Sequence, residues 1–158
     1  MNQAWLLCCL LAYYANSHAQ PVLEKVLDGD TVIIREESRY YHLRLLDIDA
    51  PELHQAFGKQ SKRSMAQLCL NTSISVQPQG QDIYGRTLGH LSCGKQDASQ
   101  SQIALGMAWF NQRYSRRYEL QVLQKQAQQQ ALGLWQQSNP LPPWQWRKLY
   151  GRHYHHQE

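Results

Sequence analysis

Between Tyr41 and Glu52 the chain makes a strand and then breaks it. Tyr41, Leu43 and Leu45 alternate with His42, Arg44 and Leu46, the period of a half-buried β-strand. Asp49, Pro51 and Glu52 follow, and the proline stops the strand. One short segment thus carries an arginine on a rigid strand and two carboxylates in the turn at its end. Arginine matches a phosphate bidentately, and clustered carboxylates attract a hard cation. Taken alone, a charged strand end is an ordinary solvated turn. Here Asp28-Gly29-Asp30-Thr31 lies upstream and Asp82-Ile83-Tyr84-Gly85-Arg86 downstream, adding carboxylates and a second arginine.

The pattern around that segment is β-rich. Residues 22–27 alternate, Asp28-Gly29 reads as a tight turn, and 31–35 is β-branched. Strands are also predicted over 39–46, 73–77 and 86–93. Helical spacing appears over 59–70, with Met65, Ala66 and Leu68 as core contacts, and again over 99–108. A third helix over 118–132 places Leu120, Leu123, Ala127 and Ala131 on one stripe. Five short strands, with a helix between the third and fourth and helices after, predict an α+β, mainly β fold. The architecture is a five-stranded Greek-key barrel of the oligonucleotide-binding (OB) type with about three helices.

Residues 4–15 are almost wholly apolar, and Ser17-His18-Ala19 offers small residues for cleavage, so 1–19 reads as a secretory signal peptide too short to span a membrane. A buried N-terminal helix is the alternative, since no Lys or Arg precedes the apolar run. The expected organisation is a domain over 20–137 and a tail over 138–158 containing Pro140, Pro142, Pro143, Trp144 and Trp146. The tail is expected to lie extended, anchored by its tryptophans, and to fray beyond Gly151. The expected product is exported, periplasmic or secreted, monomeric, and free of the membrane after cleavage. Cys69 and Cys93 then remain in an oxidising compartment and are predicted to pair, with two free buried thiols as the alternative. Antiparallel pairing of 73–77 with 86–93 would bring them together.

The net charge is +4, from 16 Lys+Arg and 12 Asp+Glu. Residues 20–110 hold 9 basic and 10 acidic groups, and 111–158 hold 7 basic and 2 acidic. The acids gather near the strand-end motifs, and the balance permits a polyanionic partner without requiring one.

Hydrolysis of a phosphodiester requires a base for water and cations to neutralise the pentavalent state and the departing oxygen. Glu52 is the candidate base, Arg44 and Arg86 the candidate phosphate forks, and Asp30 and Asp49 the candidate ligands of a hard cation, with the backbone carbonyl of Ala50 in reach. Oxygen ligands without thiolate or imidazole favour Ca²⁺ or Mg²⁺ over zinc.

Taken in order, Val26-Leu27-Asp28-Gly29-Asp30-Thr31, Arg44-Leu45-Leu46-Asp47-Ile48-Asp49-Ala50-Pro51-Glu52, Asp82-Ile83-Tyr84-Gly85-Arg86, Gly106-Met107-Ala108 and Gly133-Leu134-Trp135 resemble the staphylococcal-nuclease-like (thermonuclease) family. The ending Pro142-Pro143-Trp144-Gln145-Trp146-Arg147 resembles that of exported bacterial members. The resemblance implies a calcium-dependent endonuclease acting on DNA and RNA with little sequence specificity, leaving 3′-phosphate ends. It implies Asp30, Asp49 and the Ala50 carbonyl as Ca²⁺ ligands, Arg44 and Arg86 on the phosphate, Glu52 as general base, and Asp28 as a support behind the ligands. Three positions depart from the family pattern: Ile83 in place of a frequent lysine, Ala50 in place of a threonine, and Asn111 where exported relatives tend to have a tyrosine. They bear on substrate affinity rather than on the chemistry.

Tyr84 and Tyr114 either stack on the bases of single-stranded substrate or fill the edge of the core. Arg113, Arg116, Arg117, Arg147, Lys148 and Arg152 either follow phosphates or, the favoured reading, form a solvated face. His153, His155 and His156 read as a frayed end rather than a metal site. An OB-type module that binds single-stranded nucleic acid without cutting it is the competing function; it would be marked by loss of a carboxylate or arginine named above, and none is lost.

Overall fold

The computed structural model describes residues 20–151. The predicted signal peptide, Arg152 and the three tail histidines lie outside the described residues. Strand β1 (Val22–Val26), β2 (Thr31–Glu36) and β3 (Arg39–Leu45) form an antiparallel meander. Helix α1 (Gly58–Cys69) follows a two-residue strand β4 (Ile48–Asp49), and then come β5 (Ile74–Gln81) and β6 (Thr87–Cys93). The hydrogen-bonded order is β1-β2-β3-β6-β5, with β6 parallel to β3 and antiparallel to β5. This is the strand order of an OB-type Greek key, and among the described residues no ladder joins β1 to β5 to close the barrel. Short strands β7 (Gln96–Asp97) and β8 (Trp109–Phe110) pair with β6 and β4. Helices α2 (Ala98–Ala104), α3 (Tyr118–Gln129) and α4 (Pro143–Tyr150) complete the fold, with a 3₁₀ turn over Gly133–Gln136.

All five expected strands form, and in β3 and β6 the alternation of buried and less buried residues matches the pleat. In β3, Leu43 and Leu45 are fully buried while Arg44 between them points out of the core. Val32, Ile34 and Leu91 from the sheet meet Met65, Ile103 and Leu120 from the helices in a single core. Strand β5 runs four residues beyond the expected 73–77. Pro78 cannot donate to the ladder, and the chain absorbs this with a register shift between Pro78 and Gly80 rather than ending the strand.

Helix α3, expected over 118–132, ends at Gln129 and leaves Ala131 exposed at φ 49°, off the expected stripe. The other two corrections are larger. The helix expected over 99–108 stops at Ala104, because Gly106 turns the chain with φ 65° and Met107 N–H returns to the Gln102 carbonyl. Gly106 and Gly133, both at positive φ, then meet backbone to backbone. The Leu134 N–H donates to the Gly106 carbonyl at 2.8 Å, and a Cβ on Gly133 would lie 2.2 Å from that same oxygen. The two glycine motifs therefore dock the end of the chain onto the α2 turn. The second correction is a fourth helix, α4, where an extended tail was expected. Pro143 sits in its first turn, where a missing N–H costs nothing, and Trp144 meets Trp109 edge-on at 5.6 Å.

Cys69 at the end of α1 and Cys93 at the end of β6 form the predicted disulfide, with Cα atoms 5.0 Å apart. The cause is the one expected: Cys93 pairs with Ile74, the first residue of the strand that α1 leads into.

Candidate active site

Arg44 is the hub. It leaves β3 opposite Thr31, and its side chain is 14% exposed. Its Nε pairs with Asp30 Oδ1 at 3.0 Å, and its Nη2 pairs with Asp49 Oδ1 at 3.1 Å. Nη1 donates to the carbonyls of Leu45 and Ile48, the latter at 2.8 Å. Those contacts engage four of the five guanidinium N–H groups, so Arg44 is fixed before any ligand arrives and offers a phosphate one N–H rather than a free fork. Burial works against its charge, and Asp30, Asp49 and Asp28 outweigh that, raising its pKa above the usual value.

Asp30 is almost entirely buried at the mouth of β2. It accepts the Ala50 N–H at 2.6 Å through Oδ2 and the Thr31 hydroxyl at 3.0 Å through Oδ1. Burial, reinforced by Asp28 and Asp49 and opposed by Arg44, pushes its pKa up to about 7. Asp28 does not touch Arg44 by hydrogen bond. It caps the loop by accepting the N–H groups of Asp30 at 2.9 Å and Thr31 at 2.7 Å, an Asx turn that aims Asp30 inward.

Gly29 is needed for space, not for turn geometry. A Cβ there would lie 1.8 Å from Ser61 Oγ in α1 and 2.7 Å from Ala50 Cβ. Behind it stands Gln102, fully buried in α2, whose Nε2 donates to the Gly29 carbonyl at 2.8 Å and the Ser61 carbonyl at 3.1 Å. Nothing in the sequence marked Gln102: one glutamine in a glutamine-rich helix carries no periodic signal.

Asp49 and Glu52 stand on either side of Ala50-Pro51, both side chains about nine-tenths buried. The guanidinium of Arg147 in α4 spans them. Its Nη2 pairs with Asp49 Oδ2 at 2.8 Å, and its Nη1 donates to Asp49 Oδ1 at 3.1 Å and Glu52 Oε1 at 2.8 Å. Arg147 was expected on a solvated face; it is instead a member of the carboxylate cluster, with its pKa raised as those carboxylates outweigh the cost of burial. The only sequence signal was its place in the Trp144-Gln145-Trp146-Arg147 run.

Arg86 precedes β6. Because Leu88 pairs with Arg44 across the parallel ladder, Arg86 lies two residues away on the same face of the sheet. Its Nε pairs with Asp82 Oδ2 at 2.8 Å. Asp82 Oδ1 also accepts the N–H groups of Tyr84 and Arg86. Burial opposes ionisation of Asp82, but those hydrogen bonds with Arg86 and Tyr84 prevail and its pKa falls below the usual 3.8. Tyr84 and Tyr114 are 61% and 67% exposed, so neither fills the core edge, and each ring has an arginine over it, Arg86 at 5.9 Å and Arg113 at 5.4 Å. Ile83 is 91% exposed. Arg117 is a structural tie, binding Asp47 and Asp97 at 3.0 Å each and Glu119 at 2.8 Å.

Asp30, Arg44, Asp49 and Glu52 are thus joined in one network with Arg147, and Arg86 faces the same side from its own clasp. Among the described residues no three His, Cys, Asp or Glu side chains alone form a metal-binding group.

A Greek-key OB-type sheet carrying paired arginines and a buried carboxylate network is the arrangement of a nuclease class. The chain belongs to the staphylococcal nuclease homologue family, whose pattern matches residues 42–137. It is 35% identical to an uncharacterized endonuclease of Escherichia coli O157:H7 over 91% of this chain and 90% of that protein. It is 36% identical to a micrococcal nuclease of Shigella flexneri over 78% of each chain. An uncharacterized endonuclease of Haemophilus influenzae is 36% identical over 78% of this chain and 70% of its own length.

Proposed function

We propose that this protein is an exported, calcium-dependent endonuclease that hydrolyses DNA and RNA with little sequence specificity, prefers single strands and leaves 3′-phosphate ends. The observation that carries the reading is the arginine held between two buried aspartates, with a glutamate on the same turn and a second arginine on the same sheet face. A site that only bound the polymer would expose its cations to phosphates. This one embeds them among carboxylates, an expensive arrangement that suits charge developing during a reaction.

The donor set fits a hard divalent cation. Asp30 and Asp49 concentrate negative charge where burial already strains Asp30 toward protonation, and a cation would relieve that strain. With only two such carboxylates in the set, the Ala50 carbonyl and water would supply the remaining oxygens. When bound, Ca²⁺ supplies Lewis-acid stabilisation of a phosphoryl oxygen.

The remaining roles fall to side chains. Glu52 takes a proton from the attacking water as the water oxygen bonds to phosphorus. Arg44, immobilised, offers its remaining N–H and its full charge to a non-bridging oxygen. Arg86 does the same from the far side, held at its Nε by Asp82 and therefore presenting its Nη groups. The bond from phosphorus to the 5′ oxygen breaks, leaving the phosphate on the 3′ side. Tyr84 and Tyr114, exposed and flanking, stack on unpaired bases. Asp28 supports Asp30 without touching substrate.

The Cys69–Cys93 disulfide supports export, since such bonds persist in oxidising compartments. Among the described residues no helix is long and apolar enough to cross a membrane. The catalytic unit acts as a monomer of residues 20–158 once a signal peptide over 1–19 is removed.

The test is digestion of end-labelled single-stranded and duplex DNA and of RNA by residues 20–158, in calcium and in excess chelator. Calcium-dependent products ending in 3′-phosphate, formed faster from single strands, are expected. Full activity in chelator, or 5′-phosphate products, would refute the corresponding assignment.

A further inference from the structure

The C-terminal helix is part of the active site: we infer that Arg147 is a positioning residue that fixes Glu52 and Asp49 relative to each other and sets the site's affinity for its divalent cation. The inference rests on the function proposed above and adds a residue that the strand-borne motifs do not contain.

Helix α4 is seated, not draped. Gln55 Nε2 donates to the Leu141 carbonyl, Pro143 is buried, and Trp144 packs on Trp109, which itself meets Trp135 at 4.4 Å. Gln55 also accepts the Glu52 N–H at 3.2 Å, so the turn carrying Glu52 and the approach to α4 share one side chain. From this seat Arg147 reaches back across 98 residues of sequence to Asp49 and 95 to Glu52. Its guanidinium is 26% exposed, and both carboxylates it holds are within 11% of full burial.

The geometry has two consequences. One face of the planar guanidinium fork binds both oxygens of Asp49, and the same Nη1 continues to Glu52, so the two carboxylates are held at a fixed spacing. No lysine could do this, because an ammonium lacks the rigid fork. The second consequence is electrostatic. A permanent positive charge hydrogen-bonded to Asp49 repels a divalent cation that uses the same carboxylate. Arg147 therefore weakens cation binding while ordering the base. This balance suits an enzyme whose metal site must exchange and whose Glu52 must stay aimed.

Charge and fork separate experimentally. In Arg147→Ala both are removed: kcat should fall about 10- to 100-fold with KM little changed, while Ca²⁺ binding measured by calorimetry without substrate should tighten about tenfold. In Arg147→Lys the charge stays and the fork is lost: kcat should again fall, and Ca²⁺ affinity should remain within a few-fold of the natural protein. Thermal denaturation and tryptophan fluorescence report whether α4 stays seated. The inference is overturned if Arg147→Ala keeps its kcat, or if Ca²⁺ binding weakens in both variants, which is the signature of a helix that merely braces the fold. Failure of the natural protein itself to bind Ca²⁺ or to cut nucleic acid would overturn the proposed function instead.

Discussion

Replacing Arg44 by alanine should damage the fold as well as the chemistry, and the two losses can be told apart. The side chain neutralises Asp30 and Asp49 and satisfies the carbonyls of Leu45 and Ile48. Its removal leaves Asp30, about 95% buried, without its cation, and leaves Asp49 with Arg147 alone. Breaking a buried pair in this way costs about 3–5 kcal/mol, because the partner charge stays desolvated. For a domain of this size each kcal/mol lowers Tm by about 4 °C, so Arg44→Ala should melt about 10–20 °C lower in chelator. Calcium should restore part of that difference, since the cation takes over the neutralising role at the same carboxylates. The assay is thermal denaturation in chelator and in calcium, with turnover measured well below the lower Tm. Folded Arg44→Ala should still turn over about 100-fold or more slowly, through the lost transition-state charge. An unchanged Tm in chelator would refute the view that Arg44 holds the carboxylate cluster together. Near-normal turnover in folded protein would refute its catalytic role.

Three further outcomes are expected. Reducing Cys69–Cys93, which closes a loop of 24 residues, should cost about 3–4 kcal/mol in the chain-entropy model and lower Tm by about 10 °C or more; a shift below about 2 °C by scanning calorimetry would contradict it. Asp82→Asn should slow turnover about tenfold or more by releasing Arg86, with only a small change in Tm; unchanged kcat and KM would remove Asp82 from the account. Because the folded pKa of Asp82 is depressed, its contribution to stability is present above the ordinary 3.8 and is lost as pH falls through the lower folded value; a titration of Tm in which the natural protein and Asp82→Asn lose stability in parallel as pH falls below about 4 would contradict that sign.

Much of the site was legible because it is carried by local pattern. Arg44 is placed by strand alternation, Asp49 and Glu52 by the strand's end, and Asp82-to-Arg86 by a turn whose aspartate bonds its own loop. The disulfide followed from antiparallel pairing together with the expected oxidising compartment. What was not legible depends on contacts made at long sequence separation. Gln102 braces Gly29 from 73 residues away, and Arg147 reaches Glu52 from 95. A basic residue near the end of a chain looks solvated until the tryptophans beside it are known to be packed. The tail's helix was missed for a related reason: three prolines suggest an extended run, but Pro142 and Pro143 lie just before and at the first turn, where they favour a helix start. Gly29 looked like a turn glycine, and only the position of α1 shows that it is a close-contact glycine.

The central claim is that Glu52 is the base of a metal-assisted hydrolysis. It is tested most directly by single-turnover cleavage of a single-stranded oligonucleotide at saturating calcium, comparing Glu52→Gln with the natural protein. Glutamine keeps the shape of the side chain and an oxygen for Arg147, but cannot accept the proton of water. The account predicts a rate lower by about 10²–10⁴-fold, with calcium affinity little changed. A Glu52→Gln rate within a few-fold of the natural protein's would contradict it.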